Sequence, residues 1–238
     1  MEGDDRLVGV IGGMGPDATI DFMSKVVEFT PAQNDQDHVR LLVDQNPRTP
    51  SRQMALNHEG ESPGPVLAHA AARLQQGGAE FLVMPCNTAH AWRDDIVAAV
   101  TIPFVSIIDE SVAQAIHSAD GPVGLLTTPG CFTAGLYQQA IARADRELVL
   151  QTEAELAETM RLIDRIKAGD RSDEVEDGLR NLAKQLVERG ASTIVAACTE
   201  LPLVLNQSMV SVPLIGSTDA LARKTVALAL AQEPLPES

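Results

Sequence analysis

Two of the chain's three cysteines stand in matching surroundings. Cys86 closes the apolar stretch FLVMP and precedes Asn87 and Thr88; Cys198 closes IVAA and precedes Thr199 and Glu200. A thiol is an acid when neutral and a base when ionised, with an ordinary pKa of about 8.5. Two thiols facing one carbon from opposite sides could remove a proton from one face and return one to the other, which inverts the centre. A lone cysteine at a strand end is ordinarily a small buried hydrophobe, and that reading holds for Cys131. The shared context of Cys86 and Cys198 favours chemistry. For either to act as a base, a donor, a positive group or a helix N-terminus must draw it towards thiolate. Asn87-Thr88 and Thr199-Glu200 fall where a following helix would begin, so backbone N–H groups there are expected to stabilise an anion.

Other uses of cysteine fit less well. An odd number without tight spacing argues against a disulfide framework and fits a reducing cytoplasm. No CxxC pair occurs, and no Cys/His cluster has zinc-ligand spacing, so no metal site is expected. A redox sensor or thiol peroxidase would want a resolving cysteine nearby in sequence, and there is none.

The elements that must carry these residues alternate. Short continuous apolar runs at 7–11, 41–43, 81–84, 104–108, 123–126, 194–197 and 212–215 predict buried parallel strands. Helices are predicted over 16–29 and 65–76, each opening with Pro at the first turn. Further helices are predicted over 153–167 and 174–189, the last stopping before Gly190, and over 218–231. This alternation indicates a parallel α/β architecture. The chain also repeats itself: LQQGGAEFLVMPCNT (74–88) aligns without gaps to LVERGASTIVAACTE (186–200), and GVIGGMG (9–15) echoes GLLTTPG (124–130). Two similar halves follow, each a short parallel sheet flanked by helices, with the site expected in a cleft between them. The expected domains are 1–102 with 213–238, and 103–212, the last helix returning to cover the first sheet.

Composition narrows the partners. Hydrophobic residues make up 45% and charged residues 21%, ordinary for a globular chain, while aromatics at 3% leave the core to Ala, Val, Leu and Ile. A net charge of −15 disfavours nucleic acid and anionic membrane. No stretch reaches the roughly 18 apolar residues of a membrane span. The opening MEGDDRLVGV starts acidic and does not read as a signal peptide, so a cytoplasmic location is expected.

The segments GVIGGMGP, MPCNTAH and ACTELP, in this order and spacing, resemble the aspartate/glutamate racemase family, in particular its aspartate racemase branch. The resemblance spans the chain from Leu7 to about Ala229. It implies cofactor-independent racemisation of an acidic amino acid by two cysteines between two similar domains, commonly in a homodimer. Cys86 and Cys198 would be the acid/base pair. Asn87, Thr88 and Thr199 would hold the substrate's α-carboxylate and amino group, and Met14 and Gly15 would shape the pocket, with Asn46, Thr128 and Glu200 also among the binding residues. Family members acting on acidic amino acids carry an Arg after an Asn-Pro segment and a Lys on a later helix; QNPRTPSR supplies Arg52, with Arg48 as its rival, and RLIDRIKAG supplies Lys167. A distal carboxylate needs such a cation, and arginine can grip it with two parallel donors.

Departures from the pattern bear on the branch. Ala197 precedes the second cysteine where Gly is usual, Ser51 replaces a more familiar Asp, and Cys131 stands where Thr is common. Glu200 follows Cys-Thr where the glutamate racemases of cell-wall synthesis resemble a pattern with His. His90 reads as a structural hydrogen-bonder that could instead polarise the site. The polar NHEGESPGP segment (57–65) reads as a mobile surface loop that could act as a lid. The competing functions are a cysteine-dependent isomerase of a small dicarboxylic acid (maleate-type), a decarboxylase needing one cysteine only, and a non-catalytic binding protein that kept the cleft.

Overall fold

The computed structural model describes residues 5–236. The reading of the N-terminus as free of a signal peptide falls partly on residues 1–4, outside the described residues. The chain divides into two compact units, Met1–Ile107 with Thr218–Ser238, and Ile108–Ser217.

The first unit holds β1 (Val8–Gly12), α1 (Pro16–Phe29), β2 (Leu41–Gln45), α2 (Arg52–Leu56), α3 (Gly64–Gln76), β3 (Phe81–Val83), α4 (Arg93–Ala98) and β4 (Phe104–Val105). Its strands are all parallel, in the order β2-β1-β3-β4. After α5 (Ile107–Ser118), the second unit continues with β5 (Val123–Thr127), α6 (Pro129–Thr133), α7 (Leu136–Arg143), β6 (Leu148–Val149), α8 (Glu153–Lys167), α9 (Asp173–Glu188), β7 (Thr193–Ala197) and β8 (Leu214–Gly216). Its parallel order is β6-β5-β7-β8, the same winding. The final helix, α10 (Ser217–Ala229), lies with the first unit. Lys25 of α1 pairs with Asp219 of α10 at 2.9 Å, and the Arg223 guanidinium sits 3.8 Å from the centre of the Phe29 ring. Charge and cation–π contact thus fasten α10 to α1.

The internal repeat has a packing cause. A Cβ at Gly9 in β1 would lie 2.6 Å from Leu82, 2.9 Å from Ala79 and 3.1 Å from Leu74. At Gly124 in β5 it would lie 2.8 Å from Ala191, 3.2 Å from Ile194 and 3.4 Å from Leu186. These are the same three positions of the repeated segment. In each half the central strand carries a glycine so that the helix end and the next strand can close onto it. The cores around them are aliphatic, with Leu67, Ala71, Leu74 and Leu82 in one and Leu162, Leu179, Leu186 and Ile194 in the other.

The boundaries differ from the sequence expectation. The predicted breaks at 102/103 and 212/213 move a few residues later because β4 pairs with β3 and β8 with β7, so each sheet keeps its own fourth strand. The strand expected over 104–108 is two residues long: Ile107 already opens α5, whose first turn carries Asp109 and Glu110, favoured at a helix start. The two-residue β6 is partly exposed and carries too short an apolar run to be read. Among the described residues, no helix is long and apolar enough to cross a membrane.

Candidate active site

Each sheet reverses its winding between its first and third strands, and in open α/β sheets ligands bind beyond the carboxyl ends of the strands at that switch. In the first unit the switch is flanked by the Gly13-Met14-Gly15 turn after β1 and by Cys86, three residues after β3. In the second it is flanked by Thr128 after β5 and by Cys198, directly after β7. The two thiols therefore occupy equivalent places in equivalent sheets, and both are buried, at 6% and 7% exposure.

Around Cys86 the backbone is locked by His90. The imidazole Nε2 accepts the Ile107 amide proton at 3.2 Å, which leaves the ring proton on Nδ1 to donate to the Cys86 carbonyl at 2.8 Å. The ring is buried and tilted against Phe104, with centroids 5.2 Å apart. His90 is thus a brace between the Cys86 turn and the start of α5. Asn87 and Thr88, both buried, open a five-residue 3₁₀ turn (Thr88–Trp92), not an α-helix. Leu201–Leu203 after Cys198 is likewise a three-residue 3₁₀ turn. The anion-stabilising helix starts expected after both cysteines are therefore too short to carry much dipole, and the Leu201 and His90 amides already donate to the Cys198 and Asn87 carbonyls.

The β1 and β2 turns interlock beside this site. Gly13 has φ +93°, and a Cβ there would come within 2.4 Å of the Asn46 backbone, so only glycine lets the loops meet. Asn46 spends its side-chain oxygen on the Arg48 amide at 3.0 Å, which makes it a loop former. Met14 is buried in the same apolar cluster as Cys86, while Gly15 caps α1. Arg52 opens α2 half-buried, its Nη1 donating to the Pro50 and Thr49 carbonyls at 2.9 and 3.2 Å; Arg48 is exposed. The loop before α3 walls a cavity of about 600 Å³ with His58, Gly60 and Ser62, facing Ala91 and Trp92 from the segment that follows Cys86.

The surroundings of Cys198 are more strongly coupled. The Cys198 thiol donates to Glu200 Oε2 at 3.0 Å, and Thr199 Oγ1 donates to the same oxygen at 3.4 Å. Burial, and then the Glu200 carboxylate, push the Cys198 thiol well above its ordinary range, while Lys167 at the end of α8 pulls it down. The expectation that nearby groups draw the cysteine towards thiolate is reversed at Cys198, because desolvation and a like charge outweigh the exposed lysine. Thr127 joins the strand ends, its Oγ1 donating to the Ala197 carbonyl at 3.3 Å, and Thr128 caps α6 by accepting from the Cys131 amide at 3.3 Å.

Tyr137, which sequence reading did not single out, is buried within the electrostatic reach of Cys131 and Cys198. The chain's one tyrosine is fully buried on α7, and its phenol is pushed well above the usual range by burial, then by Cys131, with Cys198 a smaller cause; a hydrogen bond with Ser111 opposes. Its rarity was the only available signal. Among the described residues, no group of three or more His, Cys, Asp or Glu side chains is arranged to hold a metal ion.

Comparison with known proteins agrees with this layout. The chain is 27% identical to the broad-specificity amino-acid racemase RacX of Bacillus subtilis, over 95% of this chain and all of that protein. It superposes on the aspartate racemase of Picrophilus torridus with a TM-score of 0.82 and 28% identity, covering 97% of this chain and 96% of that one. An aspartate racemase homologue from Pyrococcus horikoshii OT3 gives a TM-score of 0.77 and 29% identity, over 94% and 99% of the two chains. With residues 11–225 matching the family described as Asp/Glu/hydantoin racemase, the chain belongs to that family.

Proposed function

We propose that the protein racemises aspartate without pyridoxal phosphate, Cys86 and Cys198 serving as proton acceptor and donor on opposite faces of the α-carbon. The reading is carried by one observation: buried thiols at equivalent strand ends of two identically wound sheets. In this scheme Asn87, Thr88 and Thr199 hold the α-carboxylate and amino group. Arg52 and Lys167 answer the distal carboxylate. Glu200 after Cys-Thr, and a full-length match to an aspartate racemase, favour aspartate over glutamate. One methylene alters a pocket's preference by only about 1–3 kcal/mol, so glutamate is a secondary substrate to test.

A second reading is a broader amino-acid range, favoured by the match over the whole of RacX. The maleate-type isomerase alternative is not favoured, since the relatives above are described as racemases or a racemase homologue.

The test is α-proton exchange. Purified protein in deuterium oxide should wash solvent deuterium into the α-carbon of L-aspartate while optical rotation decays, with no cofactor added. Cys86→Ser and Cys198→Ser should each lower racemisation by at least about 10³-fold, the range expected when an acid/base group is lost. Full activity in either single variant would end the two-thiol scheme. Side-by-side rates for aspartate, glutamate and neutral amino acids decide between the narrow and broad readings.

A further inference from the structure

The Cys198–Glu200 contact raises a problem that the two-thiol scheme leaves open. Both side chains are buried, at 7% and 3% exposure, and the thiol proton points at Oε2 across 3.0 Å. The carboxylate's charge opposes ionisation of the sulfur, while its lone pair is an acceptor within hydrogen-bond reach of the same proton. The other groups bearing on this sulfur are Thr199 in the same turn, Lys167 at the end of α8, and Tyr137 on α7, itself close to Cys131 of α6. A phenol or hydroxyl oxygen is a far weaker base than a carboxylate, and a lysine ammonium carries donors only, so Glu200 is the strongest proton acceptor among these groups.

We infer that Glu200 is the proton acceptor that turns Cys198 from thiol into thiolate. The S–H bond breaks, an O–H bond forms on Oε2, and the single negative charge of the pair passes from carboxylate to sulfur. No new charge is created in the buried site, whereas losing the proton to water would leave two anions side by side. The thiolate then takes the α-proton, forming a new S–H bond. The electron pair of the broken C–H bond stays on the α-carbon until the Cys86 thiol delivers a proton to the other face, which leaves Cys86 as thiolate. Exchange with water then removes the proton from Glu200 and returns one to Cys86. The inference rests on the racemase reading, and its test is built to fail separately from it.

The decisive variant is Glu200→Gln, which keeps the shape but cannot take the proton. Two quantities are read: kcat for aspartate, and the pH midpoint of Cys198 alkylation by iodoacetamide, followed on the Cys198 peptide by mass spectrometry. Removing the anion should move the alkylation midpoint to lower pH. If the carboxylate accepts the proton, kcat should nevertheless fall by about a hundredfold or more, with KM changed less than about threefold. A lower midpoint with kcat unchanged or raised would mean that Glu200 only repels charge, and would overturn the inference; an unmoved midpoint would overturn it too. Should Glu200→Gln fail to fold, Glu200→Asp retains a carboxylate one methylene shorter. Its kcat should lie between wild type and Cys198→Ser, and a Glu200→Asp protein as inactive as Cys198→Ser would count against proton transfer. If wild-type protein exchanges no α-proton of any amino acid, the racemase reading fails. The inference then falls with it whatever the alkylation midpoint does, whereas wild-type exchange together with an unimpaired Glu200→Gln kcat overturns the inference alone.

Discussion

A thiol that rests protonated must lose its proton before it can take one from carbon, and at Cys198 the surroundings hold that proton on. Residue by residue, the two cysteines sit in different surroundings. At Cys198 the issue is charge: Glu200, Lys167 and burial set the ionisation of one sulfur. At Cys86 it is placement: His90 joins the Cys86 carbonyl to the Ile107 amide through its two ring nitrogens, so it positions the turn. Replacing His90 with Ala strands the Ile107 N–H and the Cys86 carbonyl in a buried region. Each unsatisfied group costs about 1–3 kcal/mol, so His90→Ala should lower unfolding free energy by about 2–6 kcal/mol in urea titration. It should also depress racemisation through Cys86 placement. A variant as stable as wild type would show that water replaces the ring without loss.

At the scale of elements, the repeated central glycines are a packing constraint that the two sheets share. Gly124 meets the side chains of Leu186, Ala191 and Ile194, and Gly9 meets Leu74, Ala79 and Leu82. Adding a methyl group to either strand forces neighbouring side chains or backbone to move, which typically costs about 1–3 kcal/mol. Gly9→Ala and Gly124→Ala should each lower the urea midpoint by that margin. The two losses should be similar, since the alanine Cβ contacts are 2.9 Å at Gly9 and 2.8 Å at Gly124, and the 2.6 Å contact at Gly9 is to a terminal leucine methyl that can move. Equal stability of both variants with wild type would show that the sheets have slack there. The helix starts expected after the two cysteines, from Asn87-Thr88 and Thr199-Glu200, take the form of short 3₁₀ turns at this scale.

Across the whole molecule the excess of carboxylates sets the response to acid. Glu155 is held below its ordinary 4.5 by Arg189 at the end of α9, and also caps α8 through the Thr152 amide. Asp170 is lowered to about 2, mainly by hydrogen bonds with Ser172 and then by Arg165. A depressed carboxylate contributes stability above its unfolded pKa and loses it as pH falls through the folded value. Thermal stability should therefore hold steady from neutral pH down to the ordinary carboxylate range near pH 4.5, then fall steadily towards pH 2. Glu155→Gln should remove part of that dependence. A melting temperature that stayed flat below pH 4 would show that these pairs survive protonation or contribute nothing.

The sequence by itself determined the alternation of strands and helices, the two halves, and the matching strand-end positions of Cys86 and Cys198. All of these are local signals: apolar runs, prolines and glycines at helix ends, and a gapless repeat. It also bounded helices such as 16–29 and 153–167, where caps and periodicity agree. Only tertiary structure decided that each sheet keeps its own fourth strand, because pairing partners of two- and three-residue strands leave no mark along the chain. Only it decided that Tyr137 is buried where the charges of Cys131 and Cys198 bear on it, and that Glu200 is aimed at the Cys198 thiol. Direction of a side chain and depth of burial are properties of the packed molecule. They, and not the order of residues, set whether a thiol rests with its proton or without it.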